Sequence, residues 1–360
     1  MLPPASYADG RAEARRAANL SRRDKRRRAS FLRSPVKYGP PTRSQGVPTA
    51  YDKSEGGMKR LALLACALFF ATGCSSTNST SGGKTIGVSI QNREAQFYQD
   101  MEAGMKAEAQ KYGYTVNVVD ASRDNSKQQS QVEDFISQKV AAIVLTPYDS
   151  QAIGSAIVEA NKAGIPVFTA DIANGSRQGT VVSHIASDNV QGGGQAGKLM
   201  CTAVAGGGSV AILDEPEVTS VQDRVKGFKA ALVAGCPKVK IVADIDGGGE
   251  RAKASSATED ILQSHKDLKG IFGINDDSAL GAAKAVQAAG LTGKVAVIGY
   301  DATPEAREAI KNGTMYGDAI QHPGQIGAKT IDAIADSFAG KAVPKKIAVA
   351  VGTFTKADAK

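Results

Sequence analysis

The sequence predicts an α/β protein made of two doubly wound parallel-sheet lobes. Three observations carry that prediction. From residue 84 onward short apolar runs alternate with longer helical patterns, the alternation restarts near residue 192, and 360 residues exceed one core of ordinary size. Hydrophobic residues make up 42% and aromatics 5% with no Trp, a composition suited to cores of Ala, Val, Ile and Gly.

The amino end is different in kind. Fifteen of the 44 basic residues but only 5 of the 36 acidic ones fall within the first 60, so the remainder carries 29 against 31, a net of −2. The formal charge of +8 therefore resides in runs such as Arg22-Arg23-Asp24-Lys25-Arg26-Arg27-Arg28. As a functional element such a run would be a nucleic-acid arm or a membrane-surface patch. The segment after residue 57 favours a disordered or untranslated extension over residues 1–57. Met58-Lys59-Arg60 is a short positive stretch, and residues 61–71 are an apolar run of signal-peptide length, short for a membrane span. Small residues Ala71-Thr72-Gly73 precede Cys74, and a Ser/Thr/Asn/Gly spacer extends to residue 83. The segment resembles a bacterial lipobox, with an Ala in place of the more usual Leu three residues before the cysteine. Translation is expected to start at Met58, residues 58–73 to leave as a signal peptide, and Cys74 to carry lipid. The expected location is the periplasm or cell surface. Cys66 would be lost with the signal, leaving Cys201 and Cys236 in an oxidising compartment. They form a disulfide or stand as two buried thiols; their spacing is not that of a metal site.

The elements then come in order. Residues 85–90 read as a buried strand. Residues 97–112 read as a helix with Phe97, Met101, Met105 and Ala109 at fourfold spacing, stopped by Gly113. Strands are expected at 115–119, 142–145, 165–169 and 181–185, with a helix at 126–139 bearing Val132, Phe135 and Ile136. In the second half helices are expected at 192–205, 221–233, 252–264 and 324–339, and strands at 209–213, 240–243, 270–274, 295–299 and 315–320. Strict alternation implies parallel sheets covered on both faces. No long linker separates the halves, so short crossings must join them, a geometry suited to hinge closure.

In open parallel sheets ligands bind beyond the carboxyl ends of the strands. The residues at those places are Gln91, Asn92, Thr146 and Asp171, then Asp214, Glu215, Asn275, Asp276, Asp301 and Gln321. Carboxylates and amides dominate, and they pair with hydroxyls. Arg224 adds fixed donors, and Phe97 and Tyr98 add flat faces for sugar C–H groups. No catalytic set competes. His184, His265 and His322 lie far apart and read as structural or exposed. Gly192-Gly193-Gly194, Gly206-Gly207-Gly208 and Gly247-Gly248-Gly249 lack a phosphate-loop lysine and a dinucleotide fingerprint, and read as turns and close helix packing.

Several segments together carry a family likeness: residues 181–189 (VVSHIASDN), Asn275-Asp276, Ala279-Leu280-Gly281-Ala282, Gly299-Tyr300-Asp301 and Gln325-Ile326-Gly327-Ala328-Lys329. From Lys84 to near its end the chain resembles the ribose-binding type of sugar-binding proteins of ABC importers, within the type I periplasmic binding protein family. The resemblance implies ligand contacts at Asp171, Arg224, Asn275, Asp301 and Gln321, with Phe97 as a stacking aromatic and Tyr98 in place of a second. Gln91 stands for a Ser, Thr146 and Ala95 for Asn residues, Ile172 for an Arg, and Gly249 for a lid aromatic. A ligand hydroxyl left unpaired in a closed cleft costs roughly 1–3 kcal/mol. The exchanges therefore widen the expected ligand to other pentoses, hexoses, deoxysugars and polyols. The likeness also implies three hinge crossings, near 187–188, 321–322 and 350–351. One lobe would span 84–187 plus 322–350, the other 188–321 plus 351–360.

The resemblance thus implies a monomeric carrier without cofactor, metal or nucleic acid. It closes on a small sugar or polyol and docks on an ABC permease. A sugar-binding accessory of a chemoreceptor would use the same lobes and is the alternative. A lac-repressor-type regulator would need a helix-turn-helix before the first lobe, and residues 1–57 show no such periodicity.

Overall fold

A computed structural model describes residues 83–359 apart from Gly206. The basic extension, the expected signal peptide and Cys74 lie outside the described residues. One set of strands comprises β1 (Thr85–Ile90), β2 (Thr115–Asp120), β3 (Ala142–Leu145), β4 (Val167–Ala170), β5 (His184–Ser187) and β11 (Lys346–Val349). The other comprises β6 (Gly207–Asp214), β7 (Lys238–Asp246), β8 (Leu268–Gly273), β9 (Ala296–Asp301), β10 (Gly317–Ile320) and β12 (Gly352–Thr355). They form two six-stranded sheets of matching order, β11-β5-β4-β3-β1-β2 and β12-β10-β9-β8-β6-β7.

Helices cover both faces of each sheet, which is why the inner strands are unbroken apolar runs rather than alternating ones. On the first sheet, α1 (Gln96–Lys111) brings Phe97, Met101 and Met105 into one core with Ile326, Ile331 and Ile334 of α9 (Pro323–Phe338). The opposite face packs on Val132 and Phe135 of α2 (Asn125–Ser137) and Ile157 of α3 (Gly154–Lys162). On the second sheet, α4 (Asn189–Ala203) and α5 (Thr219–Gly235) supply Met200, Phe228 and Leu232. The remaining face takes α6 (Arg251–Ser264), α7 (Asp276–Ala288) and α8 (Pro304–Asn312) through Ile261, Ala282 and Ile310.

The glycines expected to permit close helix packing do so within α4. A Cβ at Gly193 would fall 1.9 Å from the carbonyl oxygen of Arg224, and one at Gly192 would fall 2.0 Å from the Tyr300 hydroxyl. The backbone of α4 is thereby seated directly against the turn of α5 that carries Arg224.

The fold class agrees with the sequence, with three corrections. The last strand, β12, runs antiparallel to β10, so the second sheet is not wholly parallel. The strand expected over 181–185 begins only at His184. Helices α3, α7 and α8 and strands β11 and β12 went unread. In α7 an Ala-rich surface blurs the apolar stripe, while the start of α8 is a local signal: Thr303 accepts the Ala306 N–H at 3.4 Å and Pro304 occupies the first turn. Cys201 and Cys236 are joined as a disulfide with Cα atoms 5.6 Å apart, tying the end of α4 to the end of α5.

The chain passes between the sheets three times: after β5, after β10 and between β11 and β12. Both sheets turn their carboxyl strand ends toward the same cleft.

Candidate functional site

Strand ends supply the cleft. Gln91 follows β1, Asp171 follows β4, Glu215 follows β6, Asp301 ends β9 and Gln321 follows β10. These side chains line one cavity with Phe97, Tyr98, Arg224 and Asn275. The cleft is shut, and the space left among them is about 30 Å³. Ligand pockets commonly measure about 300–1,000 Å³, so admitting a ligand requires the lobes to part.

Arg224 is the most constrained of the set. Its Nε donates to Asn189 Oδ1 at 2.9 Å, its Nη1 donates to the Ile274 carbonyl at 2.9 Å, and its guanidinium lies 4.2 Å over the Tyr300 ring. Tyr300 donates to the same Asn189 oxygen at 3.1 Å. With two edges tied, Nη2 faces Asp171 Oδ1 across the cleft at 3.9 Å. Asp171 sits at φ 63° and Asp301 at φ 123°, conformations that cost an L-residue about 1–3 kcal/mol and that concentrate at working sites. Burial raises Asp171 above the usual carboxylate range, while Arg224 and the Tyr98 hydroxyl pull it back.

Asp301 is held from within its own lobe. Gln321 Nε2 donates to its Oδ1 at 2.7 Å. Burial first, then the neighbouring Asp276 carboxyl, push Asp301 well above the carboxylate range. Asp276 accepts from the Thr303 N–H at 2.6 Å and is hydrogen-bonded to Asp318, which is wholly buried. The Ala302 backbone also favours the charged form of Asp318, and two buried carboxyls in contact are satisfied when they share a proton. Burial drives Asp318 well above its ordinary value.

Two acceptors in the cleft wall are left without a hydrogen bond among the described residues: Asp171 Oδ1 and Gln321 Oε1. Buried acceptors are costly to leave unmatched. A donor arriving in the cleft would relieve both.

The outer rim is bridged separately. Gln91 Nε2 donates to Glu215 Oε1 at 3.0 Å, and Arg123 Nη1 donates to the Gly248 carbonyl at 3.3 Å. Beside these, Thr219 N–H donates to Ser150 Oγ at 3.0 Å and the Ala173 N–H donates to Thr219 Oγ1 at 3.1 Å.

Of the nine expected ligand residues, the structure gathers eight. Thr146 is the exception: it is fully buried and does not line the cavity, its carbonyl receiving Gln128 Nε2 at 3.0 Å. Asn275 lines the cleft, but its side-chain oxygen is spent accepting the Ser278 N–H at 2.8 Å, capping α7. Its amide donates to the Gly249 carbonyl at 3.1 Å. The expected set omits Asn92, Glu215 and Arg123. The first two were visible as residues after strands. Arg123 carried no signal, because its role depends on a left-handed turn at Ser122 and Arg123, φ 52° and 57°.

His184 is structural, its Nδ1 2.9 Å from Thr169 Oγ1 and its pKa lowered by burial to about 4. Among the described residues no His, Cys, Asp or Glu group could hold a metal ion, and no helix is long and apolar enough to cross a membrane.

Two parallel-sheet lobes, three crossings and a polar cleft between opposed strand ends define a binding protein of the periplasmic type I class. The chain belongs to that family: residues 86–342 match the periplasmic binding protein domain. It is similar to the ribose import binding protein of Bacillus subtilis, at 35% identity over 295 residues, covering 79% of this chain and 94% of the relative. A solute-binding protein of an ABC transporter from Agrobacterium vitis, solved with α-D-tagatopyranose, matches at TM-score 0.73 and 28% identity, covering 76% of this chain and 95% of that one. The Caulobacter myo-inositol binding protein, solved with myo-inositol, matches at TM-score 0.71 and 33% identity, covering 77% and 94%. The resemblance read from the sequence motifs is borne out.

Proposed function

We propose that this chain is the extracytoplasmic solute-binding component of an ABC sugar importer, taking a monosaccharide or polyol. The observation that carries the reading is the pair of unmatched buried acceptors, Asp171 Oδ1 and Gln321 Oε1, set beside the clamped Arg224. A ligand rich in hydroxyls donates to the acceptors and accepts from the guanidinium in one pose. Phe97, in edge contact with Tyr98 at 5.3 Å, offers an apolar surface to the C–H side of a ring. Relatives solved with a pyranose and with a cyclitol support a ligand class broader than ribose.

In this reading the lobes 84–187 plus 322–350 and 188–321 plus 351–360 open about the three crossings and close on the ligand. The ligand stabilises the closed form, which a membrane permease then recognises. The carrier acts as a monomer and performs no chemistry on its cargo. The lipobox-like Ala71-Thr72-Gly73-Cys74 supports a lipid anchor on Cys74, keeping the lobes at the membrane that holds the permease.

The test is a thermal-shift screen of the full chain against D-ribose, D-allose, D-fructose, xylitol and myo-inositol. At a concentration 100 times Kd, binding stabilises the fold by about 2.7 kcal/mol. A shift of several degrees with one class is expected, and its loss in Asp301→Ala. No shift with any of the five would overturn the reading.

A further inference from the structure

Glu215 belongs to the cleft in a way the expected ligand contacts do not account for. It follows β6, is 5% exposed and faces the cavity beside Gln91 and Asn275. Burial pushes its carboxyl up to about 7, against the pull of Arg123 and Gln91, and above that pH it is a carboxylate with about four acceptor positions. Among the described residues its side chain takes one hydrogen bond, from Gln91 Nε2 at 3.0 Å, with the Arg123 guanidinium at 4.0 Å.

The surroundings fix its orientation. Gln91 Oε1 accepts from the Tyr98 hydroxyl at 3.0 Å and from Asn92 Nδ2 at 3.2 Å. With its oxygen committed to two donors, the Gln91 amide must present its nitrogen to Glu215. The backbone of Gly249 lies against the other carboxylate oxygen. A Cβ there would fall 2.5 Å from Glu215 Oε2 and 3.1 Å from Asn275 Nδ2, and the residue's φ of +60° also favours glycine. The carboxylate is therefore held from both lobes while most of its acceptor capacity stays open.

We infer that Glu215 is a specificity-determining residue: it accepts a hydrogen bond from one ligand hydroxyl at the outer side of the cleft, favouring ligands that carry a hydroxyl there over those that carry hydrogen. The inference rests on the sugar-binding reading and adds the residue that reads the outermost position. A deoxy ligand would close a buried carboxylate against a C–H bond. Sites that pair with a substrate hydroxyl reject the analogue lacking it far more strongly than sites that merely enclose it.

The test is a coupling measurement by calorimetry on the full chain. The sugar or polyol of the screen that gives the largest shift is titrated with its monodeoxy derivatives, into wild type and Glu215→Ala. Wild type is expected to penalise one deoxy position at least tenfold. In Glu215→Ala that penalty should shrink to threefold or less, with the other positions unchanged. Equal penalties in both proteins at every position would overturn the assignment while leaving the sugar-binding reading intact, because Asp301→Ala would still abolish binding. Failure of every probe to bind wild type would overturn both. Glu215→Gln, which keeps the shape, guards against a folding artefact: with wild-type melting behaviour and an altered order of preference among the deoxy derivatives it supports the assignment, and with an unaltered order it opposes it.

Discussion

Asp171 and Asp301 occupy matching places in the two lobes. Each lies at the carboxyl end of the third strand from the hinge-side edge of its sheet, and each adopts a positive φ, 63° and 123°. Their surroundings differ. Asp171 meets a guanidinium that reaches over from the other lobe, Arg224 at 3.9 Å. Asp301 is set among acids of its own lobe, Asp276 and Asp318, whose push outweighs the opposing pull of Arg224 from that same lobe. One backbone plan thus presents a carboxylate twice, tuned once across the cleft and once from beneath. A repeated fold fixes where a side chain stands, and its neighbours decide what charge it carries.

Arg224→Ala should break the comparison most severely. It leaves Asp171 buried without its cation and frees Asn189 and the Ile274 carbonyl. Removing one partner of a buried pair costs about 3–5 kcal/mol, and sugar affinity should fall at least 100-fold. Chemical denaturation and calorimetry would check both.

The disulfide belongs to the second lobe, spanning 35 residues. Chain-entropy reasoning assigns a loop of that length about 4 kcal/mol at most, with 2–4 usual. Cys201→Ser with Cys236→Ser should lower the melting temperature while leaving ligand affinity within twofold, because neither residue lines the cleft.

Asp318→Asn tests the acid cluster. A carboxyl whose folded pKa is raised contributes stability below its unfolded pKa and loses it as pH rises through the folded value. Asp318 is raised by burial and by Asp276, so the folded protein should weaken as pH climbs above the ordinary carboxylate range. The asparagine variant should be more stable than wild type at neutral pH by roughly 1–3 kcal/mol, with the gain fading below about pH 4. Melting curves across pH would show it. Asp171 has no such cluster, and substituting it should give no comparable gain.

Arg123→Ala should have the smallest effect. Its rim contact to Gly248 is long, at 3.3 Å, and a hydrogen bond from a charged group contributes about 1.5–3 kcal/mol at best. Faster ligand release, by threefold to tenfold in stopped flow, is the expected result, with melting temperature unchanged.

Much of this was legible in residue order. Apolar runs bounded by Gln91, Asp171, Asn275 and Asp301 marked strand ends, and parallel topology then required those residues to converge. Thr146 shows the limit of that logic. It also follows a strand, yet it is fully buried and takes no part in the cavity lining, its carbonyl bound by Gln128. Arg123 shows another, since a contact made across the cleft from a left-handed turn has no local sequence signature. The antiparallel β12 was hidden for a simpler reason: four residues, Gly352–Thr355, carry too little pattern to declare a direction.

The central claim is that both lobes grip one ligand. Calorimetric titration of Asp171→Ala and Asp301→Ala with the sugar or polyol that best stabilises the wild type tests it directly. The account predicts that both variants lose at least 100-fold in affinity, although their sites lie in different lobes. Binding at wild-type strength by either variant would contradict it.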